Sequence, residues 1–149
     1  MTYSKFGNKK VYVDGYKFDS KAEARYYEKL RDAGASFMPI AGNYCAMQKT
    51  IPVQSAVTLA TGEKIRPVSY KADFVFFEGT EIVKVVDVKG YQDDISKLKM
   101  KMFAKEYGYP VIFAKYDARR DVFEEMTCFE SLYKQNQRAK QRRERKAQP

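Results

Sequence analysis

Apolar and polar positions alternate along this chain with two periods, and the switches between them predict its elements. Residues 9–19 read Lys-Lys-Val-Tyr-Val-Asp-Gly-Tyr-Lys-Phe-Asp, two short alternating runs around Asp14-Gly15, which predicts a tight hairpin. Ser20-Lys-Ala-Glu23 has the form of a capping box and predicts a helix to about Ala33, with Gly34 as its stop. Residues 47–57 suit an extended strand at a sheet edge, because Pro52 has no N–H to give to a ladder. Thr61-Gly62-Glu63-Lys64 predicts a turn. Val68–Phe77 and Glu81–Lys89, separated by Glu78-Gly79-Thr80, predict an antiparallel pair of strongly apolar strands.

Helical spacing returns from Asp94 to Tyr107, with Ile95, Leu98, Met102 and Phe103 as the expected inward stripe and Gly108 and Pro110 as the stop. Val111–Tyr116 predicts another strand. A last helix is expected from Asp121, with Val122, Phe123, Met126, Phe129 and Tyr133 as its apolar stripe, running on into the C-terminal residues. The order is hairpin, α, β, β, β, α, β, α: an α/β domain around one mixed central sheet with one parallel crossover, flanked by helices.

Length and composition narrow this further. With 149 residues, 44% of them hydrophobic, the chain has one domain's worth of core and no repeat or linker to divide it. No apolar run approaches bilayer length, and the first residues lack the apolar stretch of a signal peptide. The expectation is a cytoplasmic chain with no membrane partner, whose two cysteines, Cys45 and Cys128, are reduced thiols. Histidine is absent, which removes His general bases, Ser-His-Asp triads and imidazole zinc sites; two cysteines cannot complete a thiolate zinc site either.

Charge is unevenly spread. The net charge is +9, and residues 134–149, with seven basic residues and one acid, hold +6 of it. Residues 1–20 add +2 and residues 21–133 only +1. The sequence therefore divides into a nearly neutral domain, residues 1–133, and a basic extension, residues 134–149. Lys134, Arg138, Lys140, Arg142, Arg143, Arg145 and Lys146 suit a polyanion such as nucleic acid; a solvated terminus has the same composition.

Candidate chemistry lies where carboxylates interrupt apolar strands. Asp73 stands inside Lys71-Ala-Asp73-Phe-Val-Phe-Phe, and Asp87 near the end of Ile82-Val-Lys-Val-Val-Asp87-Val-Lys89-Gly90. Aspartate is depleted in strands, and a buried carboxylate is costly unless paired or bound to a metal. Lys89 follows Asp87 by two residues, so strand period gives both the same face. Hard oxygen ligands with an adjacent ammonium suit Mg²⁺ or Mn²⁺ and chemistry at a phosphoryl group. For a single Asp-x-Lys triplet a salt bridge serves as well. Glu23 falls on the inward face of the first helix, where it could join the metal ligands, but it is also the third residue after Ser20 and could simply complete the capping box. Lys97, Lys101 and Lys105 share one face of the helix after Lys89, suited either to a nucleic-acid backbone or to solvent.

These residues carry a family resemblance. Asn8-Lys-Lys, Phe18-Asp-Ser-Lys-Ala-Glu23-Ala, Tyr70-Lys-Ala-Asp73-Phe and Val86-Asp87-Val-Lys89-Gly90 together resemble the PD-(D/E)xK, or restriction-endonuclease-like, nuclease superfamily. More closely, the chain is similar to a family of small phage-encoded proteins of that superfamily, Holliday-junction-resolvase-like or endonuclease-I-like, over roughly residues 5–115. Ala72 stands where the superfamily has a proline before its first aspartate. The resemblance implies an α-β-β-β-α-β core, here with an N-terminal hairpin and a C-terminal basic helix. It also implies a metal-dependent endonuclease hydrolysing DNA phosphodiesters, with branched DNA as the favoured substrate and a symmetric homodimer as the working form. By motif position Asp73 and Asp87 are the metal ligands, Lys89 the catalytic lysine and Glu23 the helix glutamate. The competing expectations are a nuclease without junction preference, one directed at RNA, and a non-catalytic nucleic-acid- or partner-binding protein that retains the fold.

Overall fold

A computed structural model describes residues 9–39, 42–88 and 92–148 of the chain. Strands β1 (Val11–Val13) and β2 (Tyr16–Phe18) form the expected hairpin. Asp14 and Gly15 both have positive φ, 51° and 81°, as a turn matched to the twist of a hairpin requires. Helix α1 (Lys21–Asp32) begins at the N-cap Ser20, whose hydroxyl accepts the Glu23 N–H. Tyr27 and Arg31 of α1 both bond the Asp14 carboxylate, at 2.9 and 2.8 Å, and so tie the helix to the hairpin turn.

The central sheet has five strands in the order β3 (Asn43–Gln54), β6 (Val68–Glu78), β7 (Glu81–Val88), β8 (Ile112–Asp117), β9 (Val122–Thr127). All neighbours are antiparallel except β7 and β8, which run parallel across the crossover helix α2 (Asp94–Tyr107). A small ribbon, β4 (Val57–Thr58) with β5 (Lys64–Ile65), brackets the expected turn at residues 61–64. One apolar layer packs α1 and the hairpin against Cys45, Phe74, Val86, Val88 and Ala114 of the sheet. The other packs Met100 and Phe103 of α2 against Ile51, Tyr70, Ala72, Val75, Val85 and Phe113. Among the described residues the fold is thus mixed α/β, with three helices around a five-stranded mixed sheet.

Two expectations are corrected. Residues 122–127 form the edge strand β9, and the last helix, α3 (Cys128–Ala147), starts at Cys128 instead of Asp121. Val122, Phe123 and Met126 fit a helical stripe, but β8 offers an unpaired edge, and residues 122–127 complete its ladder after a turn in which Asp121 takes φ 52°. The true helix start was written in the chain: Thr127-Cys-Phe-Glu130 is a second capping-box pattern, and the Thr127 hydroxyl accepts the Glu130 N–H at 3.1 Å. The second correction concerns α2. Its inward residues are Met100 and Phe103, whereas Ile95 and Leu98 are 67% and 59% exposed. The apolar residues of α2 span more than one face, so the stripe was ambiguous until the sheet chose a side.

No helix among the described residues is long and apolar enough to cross a membrane. Cys45 and Cys128 are free, buried thiols. Residue 134, the boundary set by composition, falls within α3, and residues 136–148 are all exposed.

Phe103→Ala should lower stability by about 3–5 kcal/mol, whereas Leu98→Ala should change it by less than about 0.5 kcal/mol. Urea denaturation of the two variants checks which face of α2 is buried.

Candidate active site

Strict alternation fails on β3 and β6 at one level of the sheet. On β6, Tyr70 and Ala72 face the α2 layer, Phe74 faces the α1 layer, and Val75 and Phe77 face α2 again, so the faces exchange at Asp73. On β3, Cys45 and Met47 face α1, while Ile51 and Val53 face α2. The exchange on β3 includes Gln48, whose φ is 47°. Because both strands change face together, their register survives: Met47 pairs with Phe74 and Lys49 with Ala72. The intervening positions, Gln48 and Asp73, therefore lie opposite each other. The Gln48 amide donates to the Lys17 carbonyl at 3.3 Å, tying this level to the hairpin.

On the other side of β6 the paired ladder with β7 ends at Phe74 and Val86. The same register carried one step further sets Asp73 opposite Asp87. Here side chains replace the ladder. The Asp73 N–H donates to Asp87 Oδ1 at 3.1 Å, and the Val88 N–H donates to Asp73 Oδ2 at 2.9 Å. Beyond this level β6 continues with β3, and β7 continues with β8, through Asp87 beside Phe113 and Val88 beside Ala114. The two predicted aspartates sit at the fork.

The second oxygen of Asp87, Oδ2, accepts the Tyr70 hydroxyl. Burial pushes the Asp87 carboxyl up to about 6, against the pull of the Asp73 N–H. Cys128, the first residue of α3, lies close enough to feel its charge. Burial, against the pull of backbone hydrogen bonds and with a smaller push from the nearby Asp87 charge, raises the Cys128 thiol to about 11. The buried Gln92 amide, just before α2, donates to the Cys128 carbonyl at 2.8 Å. The start of α2 is thus joined to the start of α3, whose first residue feels the Asp87 charge.

Glu23 is 5% exposed at the start of α1, and its carboxylate accepts the Asp19 N–H at 3.3 Å, next to the Ser20 cap. That bond is close to a capping box but goes to the residue before the cap. Among the described residues no group of three or more His, Cys, Asp or Glu is placed to hold a metal ion. Lys89 lies outside the described residues. Lys101 and Lys105 are exposed on α2, and Lys97 is partly buried on the same helix, within 3.9 Å of Asp94. Arg138, Lys140, Arg142, Arg143, Arg145 and Lys146 are exposed on α3. Sequence reasoning gave Tyr70 and Gln92 no role at the site; only the pairing of β6 with β7 and the docking of α3 bring them there.

As chemistry, the fork offers two carboxylates whose oxygens already take N–H or O–H donors. Each carboxylate oxygen has two lone pairs, so these bonds leave room for a cation. Mg²⁺ commonly takes only one or two carboxylates and keeps several waters, so this donor set fits Mg²⁺ or Mn²⁺ without a third acid.

In metal-free protein the raised Asp87 pKa works against folding at neutral pH. Between 3.8 and about 6 the folded carboxyl keeps a proton that the unfolded one has released, so stability falls as pH rises through that window. The whole effect is about 3 kcal/mol. Urea denaturation in chelator at pH 4 and pH 7.5 should show this loss in the wild type and its absence in Asp87→Asn.

No curated protein and no solved structure matches the chain. One family profile does, described as a protein of unknown function, DUF1064; it covers residues 3–126, from before the hairpin into β9, and α3 lies beyond it. Since that match spans most of the chain, the protein belongs to the DUF1064 family.

Proposed function

We propose that this protein is a divalent-metal-dependent endonuclease acting on DNA, with branched DNA as its preferred substrate. One observation carries the reading: two aspartates from adjacent strands are held opposite each other where the sheet forks, by main-chain N–H groups that favour their ionised forms. Like charges directly opposite destabilise a ladder, and a bound cation is the simplest compensation. The order α1, β3, β6, β7, α2, β8 also follows the α-β-β-β-α-β order that the resemblance to the restriction-endonuclease-like superfamily implies.

In this reading Asp73 and Asp87 hold Mg²⁺ or Mn²⁺, which supplies Lewis acidity at the phosphoryl oxygen and an acidified water. Lys89, two residues beyond Asp87, takes the role of steadying charge on the phosphoryl group. Glu23, buried with its carboxylate on the Asp19 N–H, is the third candidate ligand. Lys97, Lys101 and Lys105 and the exposed turns of α3 grip the nucleic-acid backbone, and because α3 starts close to Asp87, with the start of α2 bonded to it, they lead the duplex toward the fork. Contacts of this kind recognise charge and shape more than sequence. A symmetric homodimer would present two such forks to the two equivalent strands of a junction.

The second reading is a nucleic-acid-binding protein that does not cut. The lack of a third acid in the group among the described residues favours it.

Purified protein with Mg²⁺ or Mn²⁺ should cut four-way junctions faster than linear duplex. Asp73→Ala, Asp87→Ala and Lys89→Ala should each abolish cutting and leave junction binding in gel shifts within a few-fold. Binding without any metal-dependent scission would sink the enzyme and leave the second reading. Replacing Arg142, Arg143, Arg145 and Lys146 by Gln should flatten the plot of log affinity against log salt by up to roughly 3–4 in slope.

A further inference from the structure

Among the described residues, tyrosine hydroxyls bond carboxylates at four places. Tyr26 bonds Glu125, Tyr27 bonds Asp14, and Tyr116 bonds Asp121. Each of those three carboxylates also pairs with a cation: Glu125 with Lys84 at 2.8 Å, Asp14 with Arg31 at 2.8 Å, Asp121 with Arg25 at 2.6 Å. The fourth pair is Tyr70 with Asp87, and among the described residues Asp87 has no cationic side chain beside it. The two other tyrosines of the α2 layer that donate, Tyr107 and Tyr109, bond backbone carbonyls of Pro52 and Ile82. A buried tyrosine needs an acceptor, but in this layer a carbonyl suffices.

We propose that Tyr70 is a positioning residue for Asp87 as a metal ligand; the inference rests on the reading of Asp73 and Asp87 as the metal-binding pair. The terminal torsion of an aspartate is soft and roughly two-fold, so a carboxylate held at one oxygen swings. Asp87 is held at both: Oδ1 by the Asp73 N–H and Oδ2 by the Tyr70 hydroxyl. Both donors belong to β6, so one strand sets the plane of the carboxylate carried by its neighbour. The hydroxyl is in turn fixed by its ring, which is 7% exposed and packed in the same cluster as Ile51, Ala72 and Phe103. Each oxygen keeps a lone pair for the ion. Tyr70 does not touch the reacting atoms; it sets the geometry in which Asp87 meets the metal.

The test titrates full-length wild type, Tyr70→Phe and Asp87→Asn with Mn²⁺, following free Mn²⁺ by electron paramagnetic resonance. Wild type should bind and Asp87→Asn should lose the ion. Tyr70→Phe should bind about ten- to a hundredfold more weakly, the usual cost of removing a partner that orients a ligand. In cleavage assays the Mn²⁺ concentration for half-maximal rate should rise by the same factor, while the rate at saturating Mn²⁺ returns close to wild type; general damage would lower that plateau. Ile51→Val, which loosens the same cluster and keeps the hydroxyl, controls for packing and should bind Mn²⁺ as wild type does. Wild-type affinity in Tyr70→Phe, or an equal loss in Ile51→Val, overturns the role of Tyr70 and leaves the metal pair standing. Equal Mn²⁺ binding by Asp87→Asn and wild type overturns the metal pair and the role of Tyr70 with it.

Discussion

Two carboxylates cannot face each other across a regular antiparallel ladder without repulsion, and the sheet resolves this by letting each reach a main-chain N–H on the other strand. Asp73 and Asp87 thereby take over hydrogen bonds that the β6–β7 ladder gives up after Phe74 and Val86. The local cost is an interrupted sheet. The consequence is a fork in which β6 leaves with β3, β7 leaves with β8, and two acids stand where the strands part.

The face exchange at the same level makes the fork compatible with a filled core. Had only β6 changed face at Asp73, its apolar residues would have fallen out of step with those of β3. With both strands changing together, Tyr70 and Ala72 still meet Ile51 in the α2 layer, and Phe74 still meets Cys45 and Met47 in the α1 layer. The positive φ at Gln48, uncommon for a residue of its kind, is part of this local geometry. The helices then enclose the fork from the α2 side. Gln92 joins the start of α2 to the start of α3, and Cys128 lies close enough to Asp87 to feel its charge. The buried, raised thiols of Cys128 and Cys45, the latter pushed by burial up to about 12, suit packing roles and not reactivity.

Much of the frame was legible in local patterns because those patterns are local causes. Asp14-Gly15 supplies the two positive φ values of a hairpin turn, Ser20 caps α1, and Gly108 ends α2 with φ 79°. Long strands with a turn between them at residues 78–80 pair wherever they are. The failures came where two structures shared one pattern. Val122–Thr127 reads as a helix stripe or a strand, and the open edge of β8 settled it. Ile95 and Leu98 belong to the same apolar repeat as Phe103, yet only one face of α2 meets the sheet. The ribbon β4–β5 is too short to leave a period at all.

From the sequence alone came the element order up to β8 apart from the ribbon β4–β5, a basic C-terminal segment, and the oddity of Asp73 and Asp87 inside apolar strands, since each is a property of neighbours in the chain. Tertiary structure decided that these two acids lie opposite each other, that Tyr70 bonds one of them, and that α3 starts beside the fork. Those facts join residues 14, 17 and 41 positions apart along the chain, and only strand pairing and helix docking bring such residues within reach of a hydrogen bond or of one another's charge.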